Sequence, residues 1–137
     1  MLVAWSGSLT IAQKVTTEEE LDKTMKKVGP AMQAIQKAMK SNEFGEVRTQ
    51  LVVVKQAMND SREFWIQHKK DDAIKFNTDT VTKIEAVEKV VSAEPVDPAV
   101  AMAALKEMGG ACLSCHKNYR ERDADNNYIL KPGSIGE

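Results

Sequence analysis

The chain has 137 residues and a formal net charge of −1, with 42% apolar and 28% charged side chains. This length and composition are typical of a single globular domain. The near-zero net charge excludes the strong basic excess of proteins that bind nucleic acid or an anionic membrane surface. No stretch approaches the roughly 18 consecutive apolar residues that a membrane-spanning helix requires, so we expect no membrane span.

Residues 1–16 precede the first helical pattern and are predicted to form an N-terminal tail. Within this tail, Met1–Ala12 ends in Thr-x-Ala, which resembles the small-residue cleavage site of an export signal. The positively charged start of such a signal is missing, because the first lysine is Lys14. The segment is therefore interpreted either as the remnant of a longer signal peptide or as a disordered terminus.

A capping box opens the first predicted helix, with Thr17 as the N-cap and Glu20 three residues later. Apolar residues then recur at alternating steps of four and three, the spacing of one helix face: Leu21, Met25, Val28, Met32, Ile35 and Met39. Pro30 interrupts this stripe. It is expected to kink the helix, because it cannot donate the helical hydrogen bond to the carbonyl of Lys26.

Two further helices are predicted between Glu43 and Val91. The second helix runs from about Glu43 to His68 and carries apolar residues at helical spacing: Val47, Leu51, Val54 and Met58. The β-branched run Val52–Val54 could also form a strand, but the 3.6-residue period and the flanking helix formers favour a helix. The third helix follows a polar break at 69–72. Its apolar stripe ends before Pro95 and comprises Ile74, Val81, Ile84, Val87 and Val91.

Asp97-Pro98 supplies an N-cap and a proline at the first position of a fourth helix. One stripe continues along that helix: Ala101, Leu105, Met108, Cys112, Cys115 and Tyr119. The polar residues 124–137 are predicted to form a flexible C-terminal tail. Four helices with short connections predict an all-α fold, an antiparallel four-helix bundle, over residues 17–123.

The fourth helix carries a motif with an evident chemistry, Cys112-Leu113-Ser114-Cys115-His116. It contains both cysteines and one of the two histidines of the chain. C-x-x-C-H is the attachment signal of a c-type haem: the two thiols add to the vinyl groups of the porphyrin, and the imidazole becomes the proximal iron ligand. Because positions i, i+3 and i+4 share one helix face, all three side chains can address one flat ring.

A zinc site and a redox-active dithiol are the alternatives for this motif. Zinc requires four ligands, in most sites nitrogen or sulfur, and outside the motif His68 is the single remaining imidazole or thiol. A thioredoxin-type C-x-x-C belongs to a βαβ setting, whereas no strand pattern is evident in this sequence. His68 is interpreted as a surface histidine. The favoured prediction is one haem c, attached covalently through Cys112 and Cys115 on the C-terminal helix of the bundle.

With this motif on the last helix of a predicted bundle, the chain resembles the class II c-type cytochromes, the family of cytochrome c′ and cytochrome c556. Residues 109–120, GGACLSCHKNYR, are similar to the family pattern G-x-x-C-x-x-C-H-x-x-[YF]-R, and 25–32, MKKVGPAM, to its pattern [ML]-K-x-x-G-x-x-M. The resemblance covers Thr17 to Arg122. It implies a periplasmic protein, because haem is attached outside the bacterial cytoplasm in this family.

The resemblance also implies roles for individual residues. His116 is the implied proximal ligand, Arg120 is expected near the haem edge and the imidazole, and Tyr119 is expected to pack against the haem ring. Met25 matches the position that faces the open side of the iron and is the implied distal ligand. Three residues near Met25 complete the expected haem pocket: Val28, Gly29 and Met32. The family's Arg-Gln propionate contact is not expected, because Leu21-Asp22 stand at those positions.

Two functions depend on the state of Met25. If its sulfur binds iron, the protein is an electron carrier that exchanges single electrons with redox partner proteins. If Met25 only lines the pocket, as a methionine at helical spacing usually does, the iron stays five-coordinate and binds small gases such as NO or CO.

Neither function makes the chain an enzyme. A peroxidase-like activity would require a distal acid–base pair, and the first predicted helix offers lysines and methionines but no histidine. No enzymatic activity is therefore expected. The resemblance also allows a homodimer through the first two helices, as relatives commonly form, and the apolar stripes are compatible with it.

Overall fold

The computed structural model describes residues 14–136. The predicted signal remnant or disordered terminus, Met1–Ala12, therefore lies outside the described residues. Within them, the elements in chain order are α1 (Glu18–Lys26), α2 (Val28–Lys40), α3 (Phe44–Gln67), α4 (Asp71–Val91), α5 (Pro98–Tyr119), β1 (Arg120–Arg122) and β2 (Tyr128–Leu130). This mostly helical architecture confirms the predicted all-α class. Over the same residues, no helix combines the length and apolar character needed to cross a membrane.

The first predicted helix is broken into α1 and α2 at Lys27. Its start is the predicted capping box, since the Thr17 hydroxyl accepts a hydrogen bond from the Glu20 N–H while the Glu20 carboxylate accepts one from the Thr17 N–H. Pro30 lies in the first turn of α2, where an N–H has no helical partner in any case. Because Pro30 cannot donate to Lys26, the helix restarts just upstream of the proline, which confirms the predicted kink.

The next two helices have nearly the bounds predicted for them, and α3 and α4 run antiparallel. Arg62 of α3 donates a hydrogen bond to the Thr78 hydroxyl of α4 (2.7 Å). Lys55, which lies earlier in α3, donates to Glu88, which lies later in α4 (3.2 Å). The run Val52–Val54 is helical: its first two side chains are exposed and its third is buried. The 3.6-residue period therefore decided its structure, rather than the β-branched composition.

α5 begins as the sequence predicts. The Asp97 carboxylate accepts hydrogen bonds from the N–H groups of Ala99 and Val100, and Pro98 occupies the first helical turn. α5 packs mainly along α4 and is joined to it by the ion pair between Lys83 and Glu107 (2.8 Å). α4 and α5 therefore form an antiparallel pair, and the motif lies in the C-terminal half of α5.

The segment after α5 differs from the predicted flexible tail. β1 and β2 form an antiparallel hairpin in which Arg120 lies opposite Leu130 and Arg122 opposite Tyr128. The Lys131 N–H donates to the Tyr119 carbonyl (2.8 Å), and Leu130 packs against buried side chains at the end of the bundle. The ordering comes from these long-range contacts, which the polar local composition does not reveal.

The buried apolar side chains form two clusters along the bundle. The main cluster lies among α2, α3, α4 and α5; its largest fully buried members are Ile35, Leu51, Ile84 and Met108. The second cluster lies at the end that carries the hairpin and comprises Val15, Leu21, Phe64, Trp65, Ala73 and Tyr119. Met25 of α1 packs against both clusters. The boundary between the clusters is where the motif lies.

Candidate functional site

The C-x-x-C-H motif spans the gap between the two clusters on α5. Met108, before the motif, belongs to the main cluster and is 0% exposed, while Tyr119, after it, belongs to the second cluster and is 6% exposed. Cys112 and Cys115 lie between them on the same helix stripe but are only partly buried. The motif therefore lies inward as predicted, yet α5 is less covered by protein there than one turn to either side.

Tyr119 anchors α5 immediately after the motif. Its ring packs on Trp65 with centroids 4.8 Å apart, and its hydroxyl donates a hydrogen bond to the Asp72 carboxylate. Burial, followed by the neighbouring Asp72, raises the pKa of Tyr119 well above its usual range, so the phenol stays protonated. The aromatic neighbour seen here is Trp65; packing against a haem ring remains a prediction.

Two contacts between α4 and α5 bracket one level of the bundle. The Tyr119–Asp72 hydrogen bond joins the helices on one side of the motif, and the Lys83–Glu107 ion pair joins them on the other. In an antiparallel pair, residues between such contacts lie at matching heights, which places Asn77 of α4 at the same height as the C-x-x-C-H motif of α5. The interior at this height is therefore polar on α4 and thiol-bearing on α5.

Asn77 and Ser61 form a buried polar pair at this level. Asn77 is 5% exposed and Ser61 0%. The Asn77 amide donates to the Ser61 hydroxyl (3.1 Å) and to the Met58 carbonyl (2.8 Å), but the Asn77 Oδ1 accepts no hydrogen bond from the described residues. An unpaired acceptor inside a core is costly, so the Asn77 Oδ1 is an unfavourable feature of this level of the bundle.

Sequence reasoning missed this pair, although a signal was present. The apolar stripe of the third predicted helix steps from Ile74 to Val81, and Asn77 occupies the helical position between them. In the same way, Ser61 lies between Met58 and Trp65 on α3. A polar residue in the same relative place on two neighbouring stripes would have predicted a buried polar level.

Both motif cysteines are free thiols in a partly buried setting. Burial raises the pKa of Cys112, and burial with smaller contributions from Asp72 and Cys112 raises the pKa of Cys115 to about 11. Redox-active dithiols require the opposite shift, toward an accessible thiolate. The electrostatic setting therefore does not favour a thioredoxin-like dithiol.

The imidazole of the motif is held neutral. Burial, with a smaller contribution from the Arg120 cation, lowers the pKa of His116 to about 4. A neutral imidazole is the form that binds a metal. Arg120 directly follows α5, and its backbone N–H donates a hydrogen bond to the His116 carbonyl. That its guanidinium lies near the haem edge and the imidazole stays a prediction from the resemblance.

The residues predicted for the distal wall are only partly brought together. Met25 packs against both clusters, and Cys115 packs against the second of them, so both border the same group of side chains. Val28 and Met32 are partly buried against the main cluster. Gly29 is exposed, and a Cβ there would meet nothing within 4 Å. Its place in the expected haem pocket therefore stays a prediction.

Two consecutive glycines precede the motif inside α5. A Cβ on Gly109 or Gly110 would meet nothing within 4 Å, so neither is required by close packing in the described residues. Each costs the helix about 1 kcal/mol relative to alanine. Gly109 precedes Cys112 by three positions and His116 by seven, so it shares their helix face. Its missing side chain leaves that face open to a flat group lying against α5.

A separate groove lies between α4 and α5. Its volume is about 450 Å³, and it is lined by Phe76, Asp79, Thr82, Lys83, Glu107, Ala111 and Ser114. This lining includes charged side chains but none of the three motif ligands. The groove therefore does not belong to the candidate site.

The donor set of the motif fits a haem c better than a protein-only metal site. In the part of the chain that the structure describes, no three or more His, Cys, Asp or Glu side chains are grouped to hold a metal ion. Haem iron needs only axial ligands from the protein, and a neutral imidazole and a methionine thioether are present. No family model, curated protein or solved structure matches the chain. Fold and motif together define a helical-bundle protein with C-x-x-C-H on its last helix.

Proposed function

We propose that the chain is a periplasmic c-type cytochrome of class II, with one haem c attached to Cys112 and Cys115 and His116 as the proximal ligand. The observation that carries this proposal is the position of the motif at the boundary between two buried clusters. There the thiols are partly exposed on an inward stripe, beside a helix face that Gly109 leaves open. The periplasmic location is part of the proposal, because the attachment is made outside the cytoplasm.

The primary function proposed is one-electron transfer between redox partner proteins. When bound, the haem would supply an Fe(III)/Fe(II) couple that takes one electron from a donor protein and passes it to an acceptor. His116 would offer a neutral imidazole to the iron, and Met25 of α1 would offer a thioether as the second ligand. Tyr119 holds α5 to α4 through Asp72, which limits movement of the ligand helix. No enzymatic activity is part of the proposal.

Gas binding is the second candidate function. It is favoured by the apolar surroundings of Met25, which packs among buried side chains of both clusters. If the Met25 sulfur stays off the iron, this wall would admit NO or CO and offer them no hydrogen-bond donor. The two functions therefore differ in one bond, between Met25 and the iron.

Optical spectra of the ferric and ferrous protein, with and without CO, test both the proposal and this choice. We expect the ferrous protein to show sharp, split low-spin bands that CO does not change. Replacing Met25 with leucine is expected to give a high-spin ferrous spectrum that shifts with CO, because leucine has no donor atom. The matched control is Met39→Leu, at a buried methionine of the main cluster outside the expected pocket, which is expected to leave the spectrum unchanged.

The outcomes separate cleanly. A wild-type spectrum that is high-spin and shifts with CO would contradict iron ligation by Met25 and select the gas-binding function. A colourless protein, purified from a host able to attach haem, would contradict both functions.

A further inference from the structure

The C-terminal hairpin holds a tyrosine between two arginines. The Arg120 Cζ lies 3.8 Å from the centroid of the Tyr128 ring, and the Arg122 Cζ lies 4.0 Å from the same centroid. Both guanidinium groups therefore lie against the same ring. Both are within the range in which a cation is attracted by an aromatic ring.

The strand pairing explains this arrangement. Arg122 lies directly opposite Tyr128 in the hairpin, and Arg120 lies two positions earlier on the same side of β1. Arg122 is further fixed by hydrogen bonds to the Tyr128 hydroxyl (2.6 Å) and to the Asn126 carbonyl (3.0 Å). The ring is therefore held in place by Arg122 and also contacts the Arg120 guanidinium.

Arg120 connects this hairpin to the candidate site. Its N–H donates to the His116 carbonyl at the end of α5, so the side chain starts one turn after the imidazole. Among residues 14–136, the ion pairs found do not include Arg120. The ring of Tyr128 thus fixes the guanidinium without neutralising its charge, which an aspartate or glutamate partner would do.

We propose that Tyr128 is a positioning residue, which holds the Arg120 cation near His116 and thereby raises the reduction potential of the site. The inference deepens the proposed function and rests on it. A fixed positive charge near iron stabilises the ferrous state, which has one positive charge fewer than the ferric state. The β-hairpin is therefore a tuning element of this chain's site and lies largely outside the segment that resembles the cytochromes.

A redox titration of the purified haem protein tests this role. Tyr128→Leu is expected to lower the equilibrium constant for one-electron reduction about threefold, a shift of about 28 mV at 59 mV per tenfold. Tyr128→Phe keeps the ring but removes the hydroxyl that Arg122 contacts, and is expected to lower the constant less than Tyr128→Leu does. Arg120→Gln removes the charge and is expected to lower the constant more than Tyr128→Leu does.

A double variant isolates the pathway. If Tyr128 acts through Arg120, Tyr128→Leu has no further effect on the potential in the Arg120→Gln background. Ile129→Ala, at an exposed position on the same strand, controls for general loosening of the hairpin and is expected to change nothing. An unchanged potential in Tyr128→Leu, or the same shift in the Arg120→Gln background, would overturn the inference.

The test also separates this inference from the proposed function. If the wild type retains haem and the reduction potential of Tyr128→Leu is unchanged, only the tuning role of Tyr128 is overturned. A wild type without haem overturns the cytochrome proposal, and the tuning role with it.

Discussion

Replacing both Cys112 and Cys115 with alanine is expected to abolish covalently bound haem completely. Each thiol would form one thioether bond to the porphyrin. Without them, only coordinate bonds from His116 and Met25 could hold the group, and acid protonates the imidazole and breaks those bonds. The measurement is the pigment that stays with the protein after acid–acetone extraction: all of it in the wild type and none in the double variant.

The motif itself supplies a matched control. Leu113 lies between the two cysteines and is 64% exposed, so Leu113→Ala changes the same helical turn without removing a proposed attachment point. Its haem is expected to resist extraction as in the wild type. Pigment that resists extraction from the double cysteine variant would show that the attachment runs through other side chains, and the site would have to be reassigned.

The helix boundaries were largely predictable because they depend on interactions between residues close together in the sequence. The capping box at Thr17, the kink before Pro30 and the N-cap at Asp97 each follow from one or two side chains acting on nearby backbone groups. The apolar stripes then decided which helix faces are buried. Even the β-branched run Val52–Val54 is helical, as the 3.6-residue spacing of the apolar residues predicts, although its composition is typical of a strand.

The hairpin could not be predicted in the same way. Its strands are three residues long, and its sequence is mostly polar. Its order depends on Leu130 and Ile135, which pack against a cluster built from residues far away in the chain. Such contacts contribute nothing to a local pattern. The contact between Arg120 and Tyr128 became visible only once the strands were paired.

The candidate site was predictable in its chemistry but not in its surroundings. Cys112, Cys115 and His116 were singled out as candidate site residues because C-x-x-C-H is by itself the attachment motif of a c-type haem. The buried Asn77–Ser61 pair was missed, because each residue alone looks like an ordinary polar interruption of a helix. The signal in the sequence appears only when the two stripes are compared, and the contacts between α3 and α4 then show the two residues as a pair. Gly29, by contrast, was placed in the pocket by resemblance alone and lies exposed.

Phe64→Ala is expected to lower the free energy of unfolding by about 3–5 kcal/mol, the range for truncating a buried phenylalanine. The side chain is 0% exposed, and its ring makes an edge contact with Trp65 (centroids 5.0 Å apart) and packs on His68 (4.4 Å). The second cluster is small, so neighbouring side chains have little capacity to fill the resulting cavity. Urea unfolding measures the effect as a lower midpoint at an unchanged m-value.

Ile66→Ala is the matched control for this substitution. Ile66 lies two residues away on the same helix and is 45% exposed. Its truncation therefore creates no internal cavity and is expected to lower the free energy of unfolding by less than about 1 kcal/mol. Because Trp65 supports Tyr119, and Tyr119 fixes α5 just after the motif, loss of Phe64 should also loosen the candidate site. Equal destabilisation by the two variants would mean that the second cluster does not hold this end of the bundle together.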